Sequence, residues 1–292
     1  GDHRSKFAIY TQLNQTGTVT GRLSSRKPNL QNIPARREKD KHRMRRAFVA
    51  RDGYQLIVAD YSGAELRVMA HLSKDPEMLK ALRAGKDLHS ITAKRVWNLS
   101  CEDDEVKTLH PDIRNHAKAI NFGLQYGMSA GVLADQIGVT KEEAQDYIDK
   151  YFDFYSGVFR WMSAMVEKCR SKGYVTTLLG RRRRIPDINI SGDDNFGRRK
   201  HCENQAMNAP IQGGVADIIK IAMNNIASDP YMQGHEANLI MQVHDELIIE
   251  CPEIDAYGVR DRVKELMEGA VSLRVPMIVD AAIGPNWEDA KA

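Results

Sequence analysis

The chain has 292 residues, of which 42% are hydrophobic and 28% charged, and its net charge is only +3. That make-up is ordinary for a soluble globular protein of about two domains. It excludes a membrane-spanning helix, because no run of roughly 18 apolar residues occurs, and no signal peptide is evident. The four cysteines, Cys101, Cys169, Cys202 and Cys251, form no CxxC pair. They read as reduced thiols in a cytosolic setting, without a structural zinc.

Basic residues concentrate at 36–46, 181–184 and 198–200. Such clusters make local positive surface on a nearly neutral protein, or simply solvated loops. The chain opens Gly1-Asp2-His3 and is expected to be a fragment or processed piece.

In chain order, residues 1–54 are polar and rich in turn formers and read as strands and loops. Leu56-Ile57-Val58-Ala59 has the pattern of a buried strand, ended by Asp60. Ser62 to Glu65 fits a capping box that opens a helix through Leu66, Met69 and Leu72. Helices are then expected over 76–84, 88–98, 112–127, 129–136, 141–155 and 157–171, with breaks at Gly138 and Gly173. A hairpin over 174–186 turns at Gly180, a polar loop fills 187–197, and a long helix covers 198–228. Leu239 to Val243 and Leu247 to Ile249 form the arms of a hairpin with His244-Asp245-Glu246 at its tip. A helix at 254–270 and a strand at 276–283 finish the chain. Strands at both ends with helices between them predict an α+β domain interrupted by a helical insertion.

Asp60 ends one apolar strand, while Asp245 and Glu246 sit between two others. If those strands are neighbours, their carboxylates converge and repel unless a cation lies between them. Mg²⁺ suits such an all-oxygen site. Taken alone, Asp60 could equally cap a helix, and Asp245 and Glu246 could be a polar hairpin tip.

Arg114, Lys118, Phe122 and Tyr126 recur every four residues. On a helix they form one stripe about 18 Å long, from two cations to two aromatics. Guanidinium and ammonium groups hold phosphates, and aromatic rings lie against sugar and base. The alternative is an amphipathic surface helix with basic residues at one end and core aromatics at the other. No GxxxxGK[ST] loop is present to bind phosphates instead.

Six segments in fixed order resemble the polymerase domain of family A DNA polymerases, the bacterial DNA polymerase I family. They are Thr20-Gly21-Arg22-Leu23-Ser24-Ser25, Pro28-Asn29-Leu30-Gln31-Asn32-Ile33-Pro34, Asp60-Tyr61-Ser62-Gly63-Ala64-Glu65-Leu66-Arg67, residues 114–127, Asn208-Ala209-Pro210-Ile211-Gln212-Gly213, and Gln242-Val243-His244-Asp245-Glu246.

The resemblance implies a right-hand α+β architecture. The palm, an antiparallel sheet with helices, would cover 1–72 and 200–292, and mostly helical fingers 73–199. The thumb is expected to be absent, with thumb and exonuclease segments upstream in a longer protein. The implied activity is template-directed addition of deoxynucleotides to a primer 3′-hydroxyl, with primer-template DNA and deoxynucleoside triphosphates as partners. The chain is expected to be monomeric, with no membrane partner. Two Mg²⁺ ions would be held by Asp60, Asp245 and the Tyr61 carbonyl, with Glu246 as a supporting acid. Arg114, Lys118 and His89 would contact the triphosphate, and Lys118 would donate a proton to pyrophosphate. Phe122 would pack on the incoming sugar. Glu65, held by Tyr126, would exclude a ribose 2′-hydroxyl, although the capping box competes for this carboxylate. Arg22, Asn29, Gln31, Asn32, Asn208, Gln212 and His244 would contact DNA, with donors in the minor groove testing pair geometry without reading sequence.

The pattern departs at Gly63, Ala64, Gln125 and Asn204, where the family more often carries bulkier, apolar or arginine residues. These departures imply a divergent, even viral, member, cytoplasmic in a bacterium or an infected cell, and the Asn204 change is expected to weaken template or primer contacts. The competing readings are a metal-dependent nuclease, which leaves the Arg114–Tyr126 stripe and Glu65 unexplained, and a catalytically idle DNA-binding fragment.

Overall fold

The computed structural model describes residues 8–34 and 42–291. Residues 36–41 of the basic run 36–46 therefore lie outside the described residues.

In chain order the elements are β1 (Gln12–Asn14), β2 (Ser24–Arg26), α1 (His42–Arg46), β3 (Tyr54–Tyr61), α2 (Ala64–Ser73), α3 (Pro76–Arg83), α4 (Leu88–Trp97), α5 (Val106–Leu109), α6 (Pro111–Gln125), α7 (Ala130–Ile137), α8 (Lys141–Phe154) and α9 (Ser156–Lys172). There follow β4 (Tyr174–Thr176), β5 (Arg182–Arg184), α10 (Phe196–Ser228), α11 (Pro230–Gly234), β6 (Asn238–Val243), β7 (Glu246–Pro252), α12 (Ala256–Glu268) and β8 (Val279–Gly284). The periodic segments of the sequence became helices to within a few residues. The short helices α1, α5 and α11 fall where no helix was expected, because four or five residues leave too little periodicity to detect. Within the expected loop 187–197, short 3₁₀ turns form at Pro186–Asn189 and Asp193–Asn195.

Two compact units result, residues 1–62, 216–271 and 278–292 in one, and 63–215 with 272–277 in the other. The first unit is built on an antiparallel sheet of order β6-β7-β3-β8. Side chains alternate across a strand, so Leu56, Val58 and Asp60 share one face of β3 and Ile57, Ala59 and Tyr61 the other. Leu56 and Val58 join Leu30, Met241, Val243, Ile248, Trp287 and Ala290 in a buried cluster. On the opposite face, Tyr61 donates its hydroxyl proton to the Met267 carbonyl of α12 at 2.7 Å.

The second unit is helical apart from the β4–β5 hairpin. Ala93 of α4, Val106 of α5 and Ala117 of α6 form one buried cluster. Cys169, Val175, Ile185, Ile188, Cys202, Ala206 and Ala209 form another. The hairpin begins after Gly173, whose φ of +72° closes α9 in the left-handed conformation that glycine adopts without strain. All four cysteines are free thiols. Among the described residues, no helix is long and apolar enough to cross a membrane.

Candidate functional site

The first unit brings the expected acidic residues to one end of its sheet. Asp60, near the end of β3, stands opposite Glu246 on β7 and Asp280 on β8. Val243 pairs with Glu246, leaving His244-Asp245 as a two-residue turn between β6 and β7. His244 takes up the turn with φ of +56°, a left-handed value that His tolerates better than most side chains. Tyr61 N–H donates to the Asp245 carbonyl at 3.3 Å, tying the end of β3 to that turn.

The carboxylates then diverge in environment. Glu246 is buried, and it is fully partnered: it accepts from Trp287 Nε1, and it lies 3.6 Å from an Arg45 guanidinium nitrogen and 3.2 Å from Lys291 Nζ. Arg45 also stacks its guanidinium 4.0 Å from the centre of the Trp287 ring. Glu246 is therefore a neutralised structural carboxylate and not a free group at a hairpin tip.

Asp60 has the opposite character. Its Oδ1 is buried with no hydrogen-bond partner. Burial, followed by the charges of Asp245 and Glu246, pushes its pKa up to about 7, against a smaller opposing effect of Lys291. Burial also raises the Asp245 pKa, opposed by a backbone hydrogen bond and by the nearby charges of Arg22 and His244. An orphaned carboxylate oxygen beside a second acid fits a divalent cation, which would supply the missing partner. Among the described residues, no three His, Cys, Asp or Glu side chains gather as a ligand set. A cation here would need backbone and external oxygens as well, as Mg²⁺ commonly does.

The segment 29–32 buttresses the turn. Asn29 caps a 3₁₀ turn by accepting from Gln31 N–H at 3.0 Å. Gln31 Nε2 donates to Gln242 Oε1 at 2.9 Å, and Gln242 Nε2 donates to the His244 carbonyl. Gln31 is thus engaged inside the protein, whereas Asn29, Asn32 and His244 are exposed.

In the second unit, α6 carries Arg114, Lys118 and Phe122, with Tyr126 at its C-cap. Asp87 caps α4 by accepting from His89 N–H at 3.1 Å. Its other oxygen accepts from Ser90 Oγ at 2.8 Å and from Arg114 Nε at 2.6 Å. The ring centres of His89 and Phe122 are 5.5 Å apart. Burial, with the charges of Arg114 and Lys118, lowers the His89 pKa to about 4 despite Asp87. Arg114, His89, Lys118 and Phe122 thus belong to one surface, on which Lys118 is exposed.

Tyr126 donates its hydroxyl proton to Glu65 Oε2 at 2.8 Å. The expected capping box at Ser62 does not form. Gly63, with φ of +62°, is the N-cap of α2, and no side chain closes the cap. That shift puts Glu65 at the second helical position, and its Oε2 accepts from Tyr126.

Asn208 and Gln212 lie one turn apart on α10, both partly exposed, and the Asn208 Oδ1 is buried without a partner. Asn204 Nδ2 donates to the Gly127 carbonyl at 3.3 Å. Gly127 has φ of +72°, and a Cβ there would collide with the Asn204 amide. The buried Gln125 leaves both amide atoms unpartnered. The remaining basic clusters are partly consumed internally: Arg181 donates to the Gly213 carbonyl, Arg198 pairs with Asp187 and Lys200 with Glu203.

Sequence reasoning missed Asp87, Asn121, Asp280 and the Arg45–Trp287–Lys291 surround of Glu246. The capping pattern of Asp87 and Ser90 was a usable signal for the first. The others depend on strand register and long-range packing.

A solved structure, the POL domain of Pol1 from M. smegmatis in complex with DNA primer-template and dNTP, matches with a TM-score of 0.89 and 42% identity. The match covers 97% of this chain and 48% of that one. The mixed helix-and-sheet fold is therefore that of a polymerase POL domain. Residues 2–289 match the model for DNA polymerase family A, and the chain belongs to that family. It is 48% identical over 284 residues to DNA polymerase I of Pseudomonas aeruginosa, covering 97% of this chain and 30% of that protein. It is 43% identical over 289 residues to the thermostable DNA polymerase I of Thermus thermophilus, covering 99% and 34%. The chain thus spans about a third of the length of the curated relatives it matches.

Proposed function

We propose that the chain is the palm and fingers part of a DNA-directed DNA polymerase. In this reading it adds deoxynucleotides to a primer 3′-hydroxyl on a DNA template and releases pyrophosphate. Residues 1–72 and 200–292 act as the palm and 73–199 as the fingers. The observation that carries the reading is the Tyr126–Glu65 hydrogen bond beyond a helix face of two cations and an aromatic ring. A nuclease has no use for a carboxylate held next to a triphosphate-type surface.

Asp60, Asp245 and the Tyr61 carbonyl hold two Mg²⁺ ions, which when bound lower the pKa of an attacking hydroxyl and stabilise the leaving oxygen. The orphaned Asp60 Oδ1 supports that assignment. Glu246 fixes the sheet end through Arg45, Trp287 and Lys291 and does not itself react. Arg114 and Lys118 hold the triphosphate, and Arg114 is aimed by Asp87 through Nε, which leaves its terminal nitrogens for phosphate. Lys118 passes a proton to the departing pyrophosphate. Phe122 packs on the sugar, and Glu65 occupies the space a 2′-hydroxyl would need. Arg22, Asn29, Asn32, Asn208, Gln212 and His244 contact primer-template DNA, and Gln31 acts through Gln242 and the His244 turn. The M. smegmatis structure, with its primer-template and dNTP, supports both partners.

Primer extension with deoxynucleotides and Mg²⁺ tests the reading. Activity is expected in the wild-type chain and absent from a folded Asp245→Ala variant. Equal extension by both would overturn the site assignment.

A further inference from the structure

We propose that Asn121 is a positioning residue that fixes the His89 tautomer, placing the ring proton on Nε2 so that a neutral imidazole N–H faces the anionic ligand of Arg114 and Lys118. The ligand's identity as a nucleoside triphosphate rests on the polymerase reading; the tautomer does not.

The inference starts from hydrogen-bond supply. Asn121 lies on α6 immediately before Phe122, and it is fully buried (0% exposed), so it acts only through its neighbours. Its Nδ2 is 3.0 Å from His89 Nδ1 and 3.1 Å from Thr92 Oγ1. An amide nitrogen has two hydrogens and no acceptor lone pair. Thr92 has one hydroxyl proton, and its Oγ1 lies 2.8 Å from the Leu88 carbonyl and 3.2 Å from Asn121 Oδ1, both of which can only accept. Toward Asn121 Nδ2, Thr92 therefore accepts. Tyr155 OH lies 3.1 Å from the same oxygen. One Asn121 hydrogen serves Thr92, and the second goes to His89 Nδ1. A ring nitrogen that accepts carries no proton, so the proton of the neutral ring resides on Nε2.

The rest of the ring's surroundings agree. Asp87 caps the first turn of α4 through the His89 backbone and binds Arg114 Nε with its other oxygen, so one carboxylate sets both the imidazole's helix and the guanidinium. The Phe122 ring centre lies 5.5 Å from that of the imidazole, the two planes tilted by 50°. The low His89 pKa keeps the ring neutral at physiological pH. A neutral donor beside two cations adds a directional contact to an anion without adding like-charge repulsion when the site is empty. Asn121 thus selects which nitrogen faces the ligand, a role no cation on the stripe can fill.

The tautomer is read directly by long-range ¹H–¹⁵N correlation on the full chain labelled with ¹⁵N-histidine, without nucleotide. The His89 signals are assigned by their loss in His89→Gln. A protonated Nε2 and bare Nδ1 are expected in the wild type. Asn121→Asp replaces the donor with an acceptor and should move the proton to Nδ1. A wild-type proton on Nδ1 overturns the proposal, as does an unchanged tautomer in a folded Asn121→Asp variant. In primer extension, Asn121→Asp is expected to raise the KM for deoxynucleotides about tenfold with His89 present, the size of one directed hydrogen bond to a charged group, and not further in a His89→Ala background. An equal increase in both backgrounds would make Asn121 a merely structural residue and overturn the positioning role. The expected tautomer in a chain that extends no primer would sink the polymerase reading alone.

Discussion

Asp60 and Glu246 face each other across the β3–β7 ladder, and the protein treats their charges in opposite ways. Glu246 is surrounded by Trp287, Arg45 and Lys291, whereas Asp60 keeps a buried oxygen without a partner. Register makes the two acids neighbours, and packing gives one a full set of partners and leaves the other with an orphaned buried oxygen.

The buried charge of Asp60 beside Asp245 and Glu246 carries a stability cost that a neutral amide would relieve. Asp60→Asn is expected to stabilise the metal-free chain by about 1–2 kcal/mol, because it removes a poorly solvated charge beside Asp245. Thermal scans with and without Mg²⁺ check this: Mg²⁺ should raise the midpoint of the wild type and leave that of Asp60→Asn unmoved. A variant less stable than wild type without metal would contradict the assignment.

Removing a partner of Glu246 should do the reverse. Arg45→Met leaves a buried carboxylate short of a cation and is expected to cost about 3 kcal/mol, the scale for breaking a buried pair. Urea unfolding measures it; a loss below about 1 kcal/mol would mean that Trp287 and Lys291 suffice.

The His89 environment predicts a pH effect. Its pKa is lowered from 6.5 to about 4 by burial and by Arg114 and Lys118, with Asp87 opposing. The unfolded chain therefore takes up a proton at this site that the folded chain refuses. The site's contribution is full above about pH 6.5, declines as pH falls, and levels off below about pH 4. Wild type should lose about 2–3 kcal/mol more than His89→Gln across that interval. Parallel stability–pH curves for the two proteins would reject the lowered pKa.

The Tyr126–Glu65 bond predicts graded effects on sugar choice. Glu65→Ala should raise ribonucleotide incorporation strongly, and Tyr126→Phe, which removes one hydrogen bond to the carboxylate, should raise it less. Competition between ribo- and deoxynucleotides in primer extension gives the ratio; no change in Glu65→Ala would exclude this residue as the sugar gate.

The family resemblance implies that Phe122 disfavours dideoxynucleotides. Phe122→Tyr is expected to admit them, seen as early termination of extension, and identical termination by both proteins would count against the placement of Phe122 at the sugar.

The helix face of Arg114, Lys118, Phe122 and Tyr126 was legible because side chains four apart align within one helix, whatever the rest of the chain does. The strand ending at Asp60 and the hairpin around Asp245 were legible for the same local reason. The capping box at Ser62 was misread: Gly63, left-handed at φ of +62°, takes the N-cap one residue later, and no side chain closes it.

By itself, then, the sequence determined the elements, the order of the motifs and the chemical type of each candidate group, all of which rest on local periodicity and side-chain chemistry. Only the tertiary structure decided which groups are spent inside the protein and which are left over. Strand register set Glu246 against Asp60, and long-range packing delivered Arg45, Trp287 and Lys291 to one carboxylate and none of their hydrogen bonds to the orphaned oxygen of the other. The same packing brought Asn121 to His89, 32 residues away in the chain. Burial and partnering are properties of residues distant in sequence, so no reading of neighbours alone could have assigned them.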